Sequence, residues 1–111
     1  MIEKSIFDYL TTALSVPVYM ELPKSKPTKC VVIEKTGSGR SNHINTATFA
    51  VQSYAPTLYE AAELNETAKA AMDNAVTLAD VAASRLNSDY NYTDTTTKEY
   101  RYQAVYDITH Y

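Results

Sequence analysis

Ile2, Ile6, Leu10 and Leu14 follow one another at four-residue intervals, with Phe7 and Ala13 beside them and Glu3, Lys4 and Asp8 turned away. That spacing predicts an amphipathic helix with a single apolar stripe. Val16-Pro17 ends it, because the residue before a proline avoids helical backbone angles. Val18-Tyr19-Met20 then reads as a short strand, and the proline before it suits an edge or first position. Leu22 to Lys29 holds Pro23, Pro27, Lys24, Lys26 and Lys29 and reads as a loop.

From Lys29 to Lys35 the β-branched run Val31-Val32-Ile33 predicts a strand. Gly37 to Asn42 contains both glycines of the chain and reads as a polar loop. Ile44 to Tyr54 alternates, with Ala47, Phe49 and Val51 facing in and Thr46, Thr48 and Gln52 facing out. Two strands joined this way make a hairpin whose loop exceeds the tight two-residue type, so its tip projects.

Pro56-Thr57-Leu58-Tyr59-Glu60 marks a helix start. Thr57 is placed to cap the Glu60 amide while the Glu60 carboxylate reaches back, a capping box. The helix is expected to run to about Asn74, its inward stripe being Leu58, Ala61, Ala62, Ala68, Ala71, Met72 and Ala75. A further strand spans Val81 to Tyr92, with Ala82, Ser84, Leu86, Tyr90 and Tyr92 as candidates for one face. After the polar turn Thr93–Thr97, the last strand runs Glu99 to Tyr111. Tyr100, Tyr102, Ala104, Tyr106 and Ile108 lie on one side, and Arg101, Gln103, Asp107 and Thr109 on the other. The expected order is α-β-β-β-α-β-β. That order suits an α+β fold: a largely antiparallel sheet of four to five strands with two helices packed on one face.

At 111 residues the chain forms one domain, residues 1–111, with no room for a second core. Ten tyrosines and no tryptophan are the compositional anomaly. A tyrosine ring is apolar and its tip polar, which suits half-buried strands and surfaces that meet partners. A net charge of −3, with only Lys24, Lys26 and Lys29 clustered, argues against specific nucleic-acid binding. Cys30 is the single cysteine and lies in an apolar run, so it reads as a buried hydrophobe. No segment approaches the roughly 20 apolar residues that cross a bilayer, and the first residues lack a signal-peptide pattern. Synthesis in the cytoplasm is expected.

Catalysis needs convergent groups, and the pattern offers none. His43 and His110 stand alone, and no pair of residues has zinc spacing. Gly37-Ser38-Gly39 invites a phosphate-loop reading, but such loops lead from a strand into a helix and here a strand follows. Glu60, Glu63 and Glu66 read as a solvated helix face. The expectation is a non-enzyme with no cofactor and no metal.

The stretch Val32-Ile33-Glu34-Lys35-Thr36-Gly37-Ser38-Gly39-Arg40-Ser41-Asn42-His43-Ile44 leads into Ala47-Thr48-Phe49-Ala50-Val51-Gln52-Ser53-Tyr54-Ala55 and Leu58-Tyr59-Glu60-Ala61-Ala62-Glu63-Leu64-Asn65. Tyr100-Arg101-Tyr102-Gln103-Ala104-Val105-Tyr106-Asp107 closes the chain. Over essentially its whole length this pattern resembles the small tail proteins of siphophages and prophages of Gram-positive bacteria, and through them the tail terminator family. The resemblance implies a homo-oligomeric ring, typically a hexamer, that caps the tail tube, stops its polymerisation and supports head joining. It implies the tail tube protein and head–tail connector proteins as partners, with the chain in host cytoplasm during assembly and in the virion tail afterwards. The family brings no catalytic residues. Arg40, Asn42 and His43, at the expected hairpin tip, are the candidate partner contacts. Two other roles stay open: a head–tail connector or neck protein, and a module that binds a small ligand or peptide and would need a preformed apolar pocket.

Overall fold

The computed structural model describes all residues, Met1–Tyr111. Helix α1 spans Ile2–Ala13 and buries Ile2, Ile6 and Leu10, the stripe its spacing predicts. Leu14 stays buried but is extended, and the chain passes through Pro17 into β1, Val18–Tyr19. Strand β2 is Cys30–Ser41, β3 is Ile44–Tyr54, helix α2 is Leu58–Asp73, β4 is Val81–Asn91 and β5 is Arg101–His110. A 3-10 turn, Asn74–Thr77, follows α2. The fold is α+β, in the expected order.

The five strands lie in the order β1-β2-β3-β5-β4. β1 runs parallel to β2, and every other pair is antiparallel. Both helices pack on one face. Their stripes meet Val31, Ile33, Ala47, Phe49, Val51, Ala104, Tyr106 and Ile108 in one core. α2 contributes Leu64, Ala68 and Met72 to that core, and fully buried Ala61 besides. Ala61 and Ala68 let the helix backbone approach the sheet closely. Thr57 caps α2 by accepting from the Glu60 amide at 3.2 Å. The Glu60 carboxylate meets the Thr57 hydroxyl at 3.1 Å instead of its amide, so the capping box is half made. Tyr106 is the largest buried side chain. Its hydroxyl lies 2.7 Å from the Asp73 carboxylate and 3.0 Å from the Lys69 carbonyl, tying β5 to α2. Burial, reinforced by that carboxylate, pushes the phenol well above its usual range.

Three expectations are corrected. Gly37–Ser41 is strand, paired with β3 up to Ser41 opposite Ile44. The turn is therefore the tight two-residue type, with Asn42 at φ 50° and His43 at φ 66°. Two consecutive positive φ values are what a type I′ turn demands, because its twist matches that of the strands. Second, β4 does not hold one face along its length. Its register slips between Val81 and Ala83 and again between Leu86 and Ser88. The second bulge sends Tyr90 and Tyr92 to the face opposite Ser84 and Leu86, since each added residue inverts the alternation. Third, Leu58 is exposed at the start of α2, while Leu64 and Asn65, left out of the predicted stripe, are buried.

Candidate docking site

Arg40, Asn42 and His43 are all exposed at the far end of the β2–β3 hairpin, and the structure does not join them into one site. Arg40 is the residue before Ser41, and its side chain lies on the helix-bearing side. There it lines an open depression of about 570 Å³ with Glu3, Lys35, Ser38, Asn45 and His110. Only two of the ten lining residues are hydrophobic, which is not the apolar pocket a small-ligand module needs. Asn42 and His43 are accounted for by the turn itself. A histidine in left-handed backbone is strained by about 1 kcal/mol. His43→Gly should therefore raise stability by about 0.5 kcal/mol, read as a higher urea midpoint with an unchanged slope. A lower midpoint would show that the imidazole makes a contact the turn geometry does not explain.

The helix-free face of the sheet is better organised. Alternation on β3 and β5 sends Gln52, Tyr54, Arg101 and Gln103 to this side, and the bulged β4 adds Tyr90 while Tyr92 follows it. The Arg101 guanidinium stacks between two rings, 4.8 Å from the Tyr92 centroid and 5.7 Å from that of Tyr54. It also donates to the Tyr92 carbonyl at 2.7 Å and pairs with Glu99 at 3.2 Å. From the loop before β2, Lys26 lies 5.9 Å from the Tyr54 centroid. Hydrogen bonds then cross three strands. The Tyr54 hydroxyl donates to Gln52 at 3.1 Å, the Gln52 amide to Gln103 at 2.8 Å, and the Gln103 amide to the Tyr90 hydroxyl at 2.6 Å. Tyr90 and Tyr92 meet edge to face at 5.9 Å.

The outcome is a held plate of Tyr, Arg and Gln on a sheet face with no helix over it. Tyr90 and Tyr92 remain 41% and 45% exposed, so the rings face solvent while their positions are locked. Tyrosine and arginine are, with tryptophan, the residue types enriched in protein–protein hot spots, and here the stack and hydrogen bonds hold the Arg101 side chain in place before any partner arrives. At the plate's inner end Tyr54 and Cys30 are buried, and burial pushes both the phenol and the thiol upward. A thiol held protonated is a poor nucleophile. The plate is not legible in the sequence because the slip at Asn87 hides that Tyr90 and Tyr92 share a side with Arg101 and Gln103. The signal was the outward set of the last strand, where an arginine and a glutamine alternate.

On the other face, Asp89 joins β4 to α2. Lys69 lies 2.9 Å from its carboxylate, and the Asn65 amide donates to the same oxygen at 2.9 Å. The bond from Lys69 holds the Asp89 pKa below the usual value, against desolvation, with Asn65 helping. Such a group stabilises the fold above its unfolded pKa, near 4, and the benefit fades as pH falls through the folded value. Asp89→Asn should cost about 0.5–1 kcal/mol at pH 7 and much less at pH 2, compared through urea midpoints. An equal cost at both pH values would contradict an ionic origin. No group of three or more His, Cys, Asp or Glu side chains comes together in a way that holds a metal. No helix is long and apolar enough to cross a membrane. A scan against protein-family models finds no match to this chain, and a search of the curated proteins finds none either.

Proposed function

We propose that this chain is a bacteriophage tail terminator: it assembles with copies of itself into a ring on the end of the tail tube, halts tube growth and presents a surface for head joining. The ring is sixfold in the family it resembles. The observation that carries the reading is the distribution of its prepared surface. A Tyr/Arg/Gln plate lies on one bare sheet face, and two unlike strand edges flank the sheet. Such surfaces serve docking, whereas catalysis wants groups converging in a cleft. A head-to-tail ring needs two different complementary patches on each subunit, and unlike edges are one way to supply them. In this reading the chain is made in the host cytoplasm and ends in the virion tail, with the tube subunit and the connector as partners.

Deleting the gene from an inducible prophage and imaging the lysate tests this directly. Overlong tubes with unattached heads are the expected result. Tails of normal length that fail to join would move the chain to a connector role, and normal infectious particles would overturn the structural reading.

A further inference from the structure

The strongest unused feature is the pair of open sheet edges. β1 pairs with β2 at Val31 and Val32 and, through the Tyr19–Val32 bridge, engages the Ile33 amide as well, so from Glu34 to Ser41 one side of β2 has no neighbour. That run is roughly 26 Å long at about 3.3 Å per residue. At the far side of the sheet, β4 is open along its length. Unpaired backbone edges of this kind are templates for another strand.

The phase of each edge follows from its hydrogen bonds. The Val31 N–H donates to the Pro17 carbonyl at 3.0 Å, towards β1. By alternation Ile33 also faces β1, at its end, and Lys35 is the first residue to present its backbone groups to the open side. After the irregularity at Thr36, Ser38 and Arg40 do so. On β4, the Tyr92 N–H donates to the Arg101 carbonyl at 2.9 Å, towards β5. Asn91 and Asp89 therefore point to the opposite edge, and beyond the slip at Asn87 so do Leu86 and Ser84. At both edges these residues carry their side chains on the helix-bearing face, where Lys35 meets Glu3 of α1 and Asp89 meets Lys69 of α2. β2 and β4 run in opposite directions.

The geometry points to edge-to-edge pairing between copies: β4 of one subunit adds antiparallel beside β2 of the next, with Lys35 opposite Asp89, Ser38 opposite Leu86 and Arg40 opposite Ser84. In this register the irregularity at Thr36 lies beside the one at Asn87, so neither breaks the alternation of its partner. Charge favours it as well. Glu3, Lys35, Asp89 of the neighbouring copy and its Lys69 would form a row of alternating sign across the joint. Pairing β2 with a second β2 would instead gather two copies of Lys35 and Arg40 on one face. The arrangement is heterologous and repeats head to tail, as a ring requires. It deepens the proposed ring by naming the joint, and it rests on that reading.

The test uses the full chain carrying Ser38→Cys and Leu86→Cys, both at exposed positions, with the parent and each single variant as controls. Antiparallel neighbours lie about 5.5 Å apart at their Cα atoms, within reach of a disulfide. Mild oxidation at concentrations where sedimentation shows oligomers should give a covalent ladder from the double variant. A mixture of the two single variants should give mixed dimers only. Oligomers that form without either product would overturn the edge joint and leave the ring intact. A chain that stays monomeric at every concentration and on added tail tubes would overturn both.

Discussion

Phe49→Ala should remove about 3–5 kcal/mol of folding stability. Phe49 is fully buried on β3, the strand between β2 and β5, and lies in the core both helices share. Truncation strips the ring from the centre of that core, and the strands cannot close the gap because their ladders on both sides hold them apart. A domain of this size commands roughly 5–15 kcal/mol in total, so the variant should sit near the edge of folding. Urea titration is the check: a much lower midpoint with an unchanged slope is expected. A loss below about 1 kcal/mol would mean that the site repacks and that the core is not the single unit described.

Arg101→Ala should separate docking from folding. The side chain stacks on Tyr54 and Tyr92 and is held by Glu99 and the Tyr92 carbonyl. Those contacts contribute about 1–2 kcal/mol to stability in a partly buried setting, so the variant should fold with a modestly lower midpoint. If the proposed tail role holds, its binding to tail tubes, measured by cosedimentation, should fall at least about 30-fold, as expected when a central arginine hot spot is truncated. Arg101→Lys keeps the charge but loses the planar stack, and should recover little of the binding. Wild-type binding by either variant would remove the plate from the interface.

Much of the fold was readable because its apolar periodicities are strong. The four-residue spacing from Ile2 to Leu14 and the alternation from Tyr102 to Ile108 each matched one local geometry. The β2–β3 turn was misread because glycine and serine from Gly37 to Ser41 look like a loop while behaving as strand. The true turn, Asn42-His43, carries histidine where glycine is the usual signal. β4 was misread for another reason. Nothing local announces a bulge, and the extra residue at Asn87 reverses the side of everything after it. The tyrosine–arginine plate depends on that reversal, which no local residue signals. Buried Asn65 escaped notice because its partner, Asp89, lies 24 residues away.

Hydroxyl-radical footprinting of the free chain and of the chain mixed with tail tubes, its proposed partner, tests the central proposal, that the bare sheet face is the docking surface. Tyr90 and Tyr92 should lose most of their labelling on assembly. Tyr59, 73% exposed on α2, should keep its own and serves as the internal reference. Equal labelling of Tyr90 and Tyr92 in both states would contradict the account.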